Sequence, residues 1–404
     1  MRFLRTITLW VMLLFVGLNL TNCKQSEPDI TQSAPTTLVN STQIGSFTKA
    51  QLTQRIAAAG IVDPQVTAFL GLLLQRDIQV YRITYKTKNT DGAEITASGA
   101  LIVPVAIGTE TFPMVSQQHG TITSEAQAPS NYSDASEAAS IGSLFASNGY
   151  ILSCPDYIGY GESKTVPHPY LHRQTEASAS LDMLRAAREF VAKNNIKWDN
   201  RVFLSGYSQG GHATMSLLKM MEEQFPAEFT ITAATCGAGP YNVEGFMRDL
   251  VNTETHGIPA YNNLYVRTLQ TYNRVYGLNR PMSFYFKEPY ATDVQNNGTQ
   301  STINVSINKA FADGFKNGLT TGSDAAFLTA VRDNNVYDWK PKTPLQLYHG
   351  TADQQVFYRN STDALAAMKA RGATVDLITI PGKDHGPAIQ DYLTGTFAFF
   401  SGKK

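Results

Sequence analysis

From Phe112 to the C-terminus, short apolar runs alternate with segments of helical length, and that alternation restricts the chain to a parallel sheet covered on both faces. Phe112 to Ser116, Tyr150 to Ser153, Val202 to Ser205, Thr230 to Ala234, Leu345 to Tyr348 and Val375 to Ile380 read as buried strands. The clearest helices run from about Glu176 to Asn194, Gln209 to Gln224 and Ser361 to Arg371. Ahead of them, two alternating segments, Gln79 to Lys88 and Glu94 to Val103, flank Asp91-Gly92 and predict an antiparallel hairpin. Amphipathic helices are predicted still earlier, around Lys49 to Ala59 and Asp63 to Leu74. The predicted class is α/β.

One interval breaks the rhythm. From Tyr241 to about Tyr337 the sequence is rich in Tyr, Phe and Asn, as in Tyr261-Asn262-Asn263-Leu264-Tyr265 and Phe284-Tyr285-Phe286. A connection this long has structure of its own. The expectation is a mostly helical cap whose aromatic residues between Tyr261 and Phe286 line or cover the site.

The N-terminus reads as a targeting segment. Arg2 and Arg5 precede an apolar run from Ile7 to Leu20, too short for a comfortable membrane span. Leu20-Thr21-Asn22-Cys23 resembles a bacterial lipoprotein box, with Asn22 standing where a small residue is usual. That pattern predicts a signal peptide over residues 1–22, lipidation at Cys23 and an outer-membrane lipoprotein of the cell envelope. Residues 23–46, rich in Ser, Thr, Gln and Pro, then read as a flexible tether, and 47–404 as the folded domain. Lys plus Arg and Asp plus Glu balance at 33 each, so no net field favours nucleic acid. The sequence leaves the oligomeric state open.

Between a buried strand and a helix stands Gly206-Tyr207-Ser208-Gln209-Gly210. A serine hydroxyl must project clear of the backbone toward a base to act as a nucleophile. A strand–turn–helix elbow achieves that, and its tight turn leaves room for glycine alone at the flanking positions. A base and an orienting carboxylate should follow at the ends of later strands. Asp353 follows the strand Leu345 to Tyr348, and His385 follows Val375 to Ile380. The order Ser208, Asp353, His385 fits a catalytic triad, with Asp333 or Asp338 as fallback orienters. Two backbone N–H donors must meet the developing oxyanion. Gln209 supplies one, and in Gln118-His119-Gly120-Thr121 the second is assigned to Thr121, with Gly120 its nearest competitor. His168 and His172 are four apart but have Pro169 between them and no evident third ligand, so neither a metal nor a cofactor is predicted.

Together with Pro155-Asp156-Tyr157-Ile158-Gly159-Tyr160-Gly161 and Gly211-His212, these motifs resemble the α/β-hydrolase superfamily, most closely its secretory lipase and esterase branch. The resemblance spans roughly residues 75–404. It implies the α/β-hydrolase fold, a mostly parallel sheet with an inserted helical cap. It also implies an exported serine hydrolase that cleaves carboxylic esters through an acyl-enzyme on Ser208. A serine peptidase on the same triad is the alternative, and an inactive surface binding protein a more distant one. In that fold Cys154 and Cys236 stand on strands three steps apart, roughly 14 Å, so both should be free thiols.

Overall fold

The computed structural model describes residues 36–58 and 74–404, and one nine-stranded sheet organises them. Its strands are β1 Leu38–Phe47, β2 Ile78–Lys88, β3 Glu94–Pro104, β4 Phe112–Gln118, β5 Ile151–Pro155, β6 Trp198–Tyr207, β7 Thr230–Gly237, β8 Leu345–Gly350 and β9 Val375–Ile380. They lie in the order β1-β2-β3-β5-β4-β6-β7-β8-β9. Strands β1, β2, β3 and β5 pair antiparallel, and from β5 through β4 to β9 every pair is parallel. This is the α/β-hydrolase fold.

Alternate residues of the central strands feed two separate cores, which is why these strands are apolar on both sides. Met114, Val202 and Leu204 face a core shared with the helices α3 and α4 described below, while Val115 and Phe203 face one with Phe145 and Phe400. The helices before the cap are α1 Lys49–Ala58, α2 Ser143–Ser147, α3 Arg173–Lys193 and α4 Gln209–Gln224. Seven cap helices, α5 to α11, run from Val243 to Asp333, and α12 Arg359–Ala370 and α13 Ile389–Ser401 complete the chain. Among the described residues no helix is long and apolar enough to cross a membrane.

The structure corrects the tether. Residues 38–46, assigned to it from their polar composition, lie in β1, paired antiparallel with β2 at the sheet edge. An edge strand is held by backbone hydrogen bonds and needs no apolar face. Here the Glu189 carboxylate on α3 also anchors its start, accepting from Thr37 N at 2.8 Å and Leu38 N at 3.0 Å. The predicted helix around 63–74 and the targeting segment with Cys23 lie outside the described residues.

Strands β4 and β6 separate β5 from β7, so Cys154 and Cys236 are indeed three strand steps apart, and both are free and buried.

Candidate active site

Four loops at the C-terminal ends of parallel strands converge on one site: those after β4, β6, β8 and β9, bearing Thr121, Ser208, Asp353 and His385. Ser208 sits at φ 60° and ψ −122°, a conformation that costs an L residue on the order of 1–3 kcal/mol and that turns the chain from β6 directly into α4. Its N–H is tied to Gly237 O at 2.8 Å, which fixes the elbow to the neighbouring strand. The turn is possible because Gly206 and Gly210 have no side chain. A Cβ on Gly206 would strike Gly210 O, and one on Gly210 would strike Gln118 O.

His385 Nδ1 lies 2.6 Å from Asp353 Oδ2. Its Nε2 is buried without a hydrogen-bond partner among the described residues, and the ring shares a cavity wall with Ser208. The Asp353 carboxylate is fully used. Oδ1 accepts from Gln355 N at 2.9 Å and Val356 N at 2.8 Å, and Oδ2 takes a second imidazole, His349 Nε2, at 3.1 Å. Burial works against its charge, yet hydrogen bonds from His349 and His385 outweigh that and hold the carboxyl well below the usual carboxylate range. Asp333 is engaged elsewhere, by Arg173 at 2.8 Å and Tyr276 at 2.6 Å, and Asp338 by Arg371 at 2.5 Å. Neither bonds His385.

The two backbone donors assigned from the motifs also lie at this corner. Gln209 begins α4, so its N–H has no acceptor within the helix, and the helix terminus favours negative charge there. Gly120 N is taken by Glu137 Oε1 at 3.1 Å, whereas Thr121 N has no acceptor among the described residues. That difference separates the two competitors.

Several supporting residues were not picked out by sequence reasoning. Tyr207 OH donates to His385 O at 2.7 Å and so holds the histidine's loop. Behind the elbow, Gln209 Nε2 donates to Glu176 Oε1 and to His168 Nε2, both at 2.9 Å. Glu176 Oε2 pairs with His212 Nδ1 at 2.7 Å, and His212 Nε2 reaches Asn334 O at 3.0 Å. This buried network fixes the Gln209 side chain and links α4 to the end of the cap. The one sequence signal for it was His212, inside the nucleophile motif.

His168 and His172 do not converge. His168 Nδ1 donates to Ile158 O at 2.6 Å, while His172 Nδ1 meets Thr175 Oγ1 at 3.0 Å, and no metal-holding cluster occurs among the described residues. Burial pushes both imidazoles down to about 4. A histidine whose folded value is lowered is protonated more readily once unfolded. Its stabilisation is complete above about 6.5 and is lost as pH falls toward about 4. The raised carboxyls of Glu137 and Asp156, pushed up by burial, act with the opposite sign, so the measurement is a difference. Urea unfolding at pH 7 and pH 4 should show His172→Gln losing less stability than the wild type, by on the order of 3 kcal/mol. Equal losses would contradict the assignment.

The cap lies over the same end of the sheet. Tyr265 OH donates to Gln355 O at 2.9 Å, Tyr272 OH to Leu171 O at 3.0 Å and Arg267 Nη1 to Ile122 O at 3.0 Å. None of its aromatic residues lines the Ser208 cavity, but Tyr265, within the interval expected to line or cover the site, reaches Gln355 on the cavity wall. Tyr285, Phe286, Phe311, Phe315 and Phe327 pack on one another in a core belonging to the cap. An insertion this long must bury apolar surface of its own before it can cover anything else.

A family model for secretory lipases matches residues 128–380, well over half of the chain and inclusive of Ser208 and Asp353. The chain belongs to the secretory lipase family. Lipase 10 of Candida albicans is 27% identical over 217 residues, 51% of this chain and 45% of that protein. The chain thus spans a little under half the length of the curated relative it matches. Among solved structures, a Legionella pneumophila protein superposes with a TM-score of 0.78 at 25% identity, covering 90% of this chain and 97% of that one. The rice cell wall degrading esterase LipA from Xanthomonas oryzae gives 0.74 at 25% identity, covering 92% and 100%. The secretory lipase match ends at Ile380, so His385 rests on the geometry above.

Proposed function

We propose that this secretory lipase family member is an exported serine esterase acting on carboxylic esters. One observation carries the reading: His385 is bound through Nδ1 to a buried carboxylate, leaves Nε2 without a partner among the described residues and shares a cavity with a serine on a strained elbow. Family membership and the likeness to a cell wall degrading esterase support it.

In this mechanism Ser208 Oγ attacks the ester carbonyl carbon while His385 Nε2 takes its proton. Asp353 keeps the imidazole in the Nδ1–H form and stabilises its charged state. The Gln209 and Thr121 N–H groups receive the oxyanion. The carbon–oxygen bond to the alcohol then breaks, and the alcohol leaves with the proton from His385. Water, deprotonated by His385, attacks the acyl-enzyme, and the acid is released with Ser208 restored.

Export through a cleaved signal peptide, with a lipid anchor on Cys23 in the cell envelope, is the second part of the proposal. It rests on the Leu20-Thr21-Asn22-Cys23 pattern, and the secretory family is consistent with it. One experiment reads both parts. Mature protein treated with a fluorophosphonate and examined by peptide mass spectrometry should carry the adduct on Ser208 and a diacylglyceryl group on Cys23. A missing adduct rejects the esterase, and an unmodified mature N-terminus elsewhere rejects the anchor.

A further inference from the structure

The cavity that contains Ser208 is small and two-sided. It measures about 200 Å³. An apolar cavity of about 150 Å³ takes one benzene ring, and ordinary ligand clefts begin near 300 Å³. Ile141, Ile389 and Leu393 form an apolar wall, whereas Gln117 and Glu137 line it beside the Thr121 loop. No residue of the cap lines it.

Both polar side chains are half used. Glu137 Oε1 accepts from Gly120 N at 3.1 Å, while Oε2 has no hydrogen-bond partner among the described residues. Gln117 Oε1 takes only the weak bond from Cys154 Sγ at 3.7 Å, and Nε2 has no partner there either. A plain alkyl chain would strip water from these atoms and give nothing back, leaving each group unpaired at a cost. One oxygen accepts and one amide donates. A hydroxyl group answers both, because it does both.

We propose that this cavity takes a short acyl group bearing a hydroxyl, a hydroxyalkanoyl ester of about four carbons, and that Glu137 and Gln117 select it. The proposal rests on the esterase reading above and names its substrate class. The bonds made and broken are those of the acyl-enzyme cycle already given, with a hydroxy acid as the released product. A second carboxylate on the acyl group would be disfavoured beside Glu137, and a long chain would overrun the cavity.

The test compares kcat/KM for p-nitrophenyl 3-hydroxybutanoate, butanoate and octanoate. The wild type should favour the hydroxy ester over butanoate by about tenfold or more and disfavour octanoate by about a hundredfold. Glu137→Gln keeps an acceptor for Gly120 N but replaces the free oxygen by a donor, so the ratio of hydroxybutanoate to butanoate should fall toward one. Gln117→Met should lower the same ratio from the other side. A uniform loss on both esters would mean that Glu137 only holds the loop, and would overturn the proposal. So would wild-type rates that are equal for octanoate and butanoate. Absence of turnover on every ester together with absence of fluorophosphonate labelling would overturn the esterase reading and this one with it. Labelling of Ser208 with no preference among the esters would overturn this one alone.

Discussion

Replacing Ser208 by alanine should lower ester hydrolysis by about a millionfold and leave the fold in place. The fold survives because the elbow does not depend on the hydroxyl. Its backbone is held by Ser208 N on Gly237 O and by the close approach of Gly206 and Gly210, and alanine bears the same strained φ as serine. His385→Ala should cost about as much, and the double variant little more than either, because nucleophile and base act as one unit. The readouts are kcat on a soluble ester, fluorophosphonate labelling, and a melting curve on the same preparations. Retention of more than about one per cent of activity by Ser208→Ala, in a folded protein, would remove the serine from the mechanism.

Asp353→Asn should lower kcat by about ten-thousandfold, and the hydrogen bonds around the carboxylate say why. Gln355 N and Val356 N both need an acceptor at the Oδ1 position. In the variant the amide oxygen settles there, and the amide NH₂ is turned to the Oδ2 position. It then faces His385 Nδ1 and His349 Nε2. His385 can meet a donor only by carrying its proton on Nε2, which leaves no base for Ser208. His349 is less affected, since its Nε2 also has Val356 O at 2.7 Å. The loss should therefore fall on kcat and on the rate of fluorophosphonate labelling, with KM little changed. A variant with wild-type kcat would show that another group orients His385, although Asp333 and Asp338 are both committed to arginines.

The sheet was legible because strands buried on both faces are written as short apolar runs, and Val375 to Ile380 was found with its structural bounds. The edge strand β1 was not, because its backbone pairs with β2 and its side chains are left half exposed and polar. In the site, Ser208, Asp353 and His385 could be found from residue type and strand order, since each follows its own strand directly. Their supports could not. Tyr207 meets His385 across 178 residues, Gln209 meets Glu176 across 33 and Gly120 meets Glu137 across 17, and no local pattern encodes such pairs. The cap's aromatic residues could be placed only in part, for a related reason. Abundance of Tyr and Phe shows that surface will be buried but not which surface, and here the cap's interior took it.

The cap departs from the sheet after β7 and returns to it in β8, and these two strands are neighbours in the sheet. Val336 N bonds Tyr241 O at 2.9 Å, so the two ends of the insertion are clasped together where it joins the hydrolase. A segment with closed ends and its own interior behaves as a detachable module. It can lengthen, shorten or be exchanged with the pairing of Ala234 to Leu345 left in register. Ser208, Asp353 and His385 all lie outside the clasp. The architecture therefore lets whatever approaches from the cap side be changed with Ser208, Asp353 and His385 left in place, while the small cavity at Ser208 is walled by residues outside the cap.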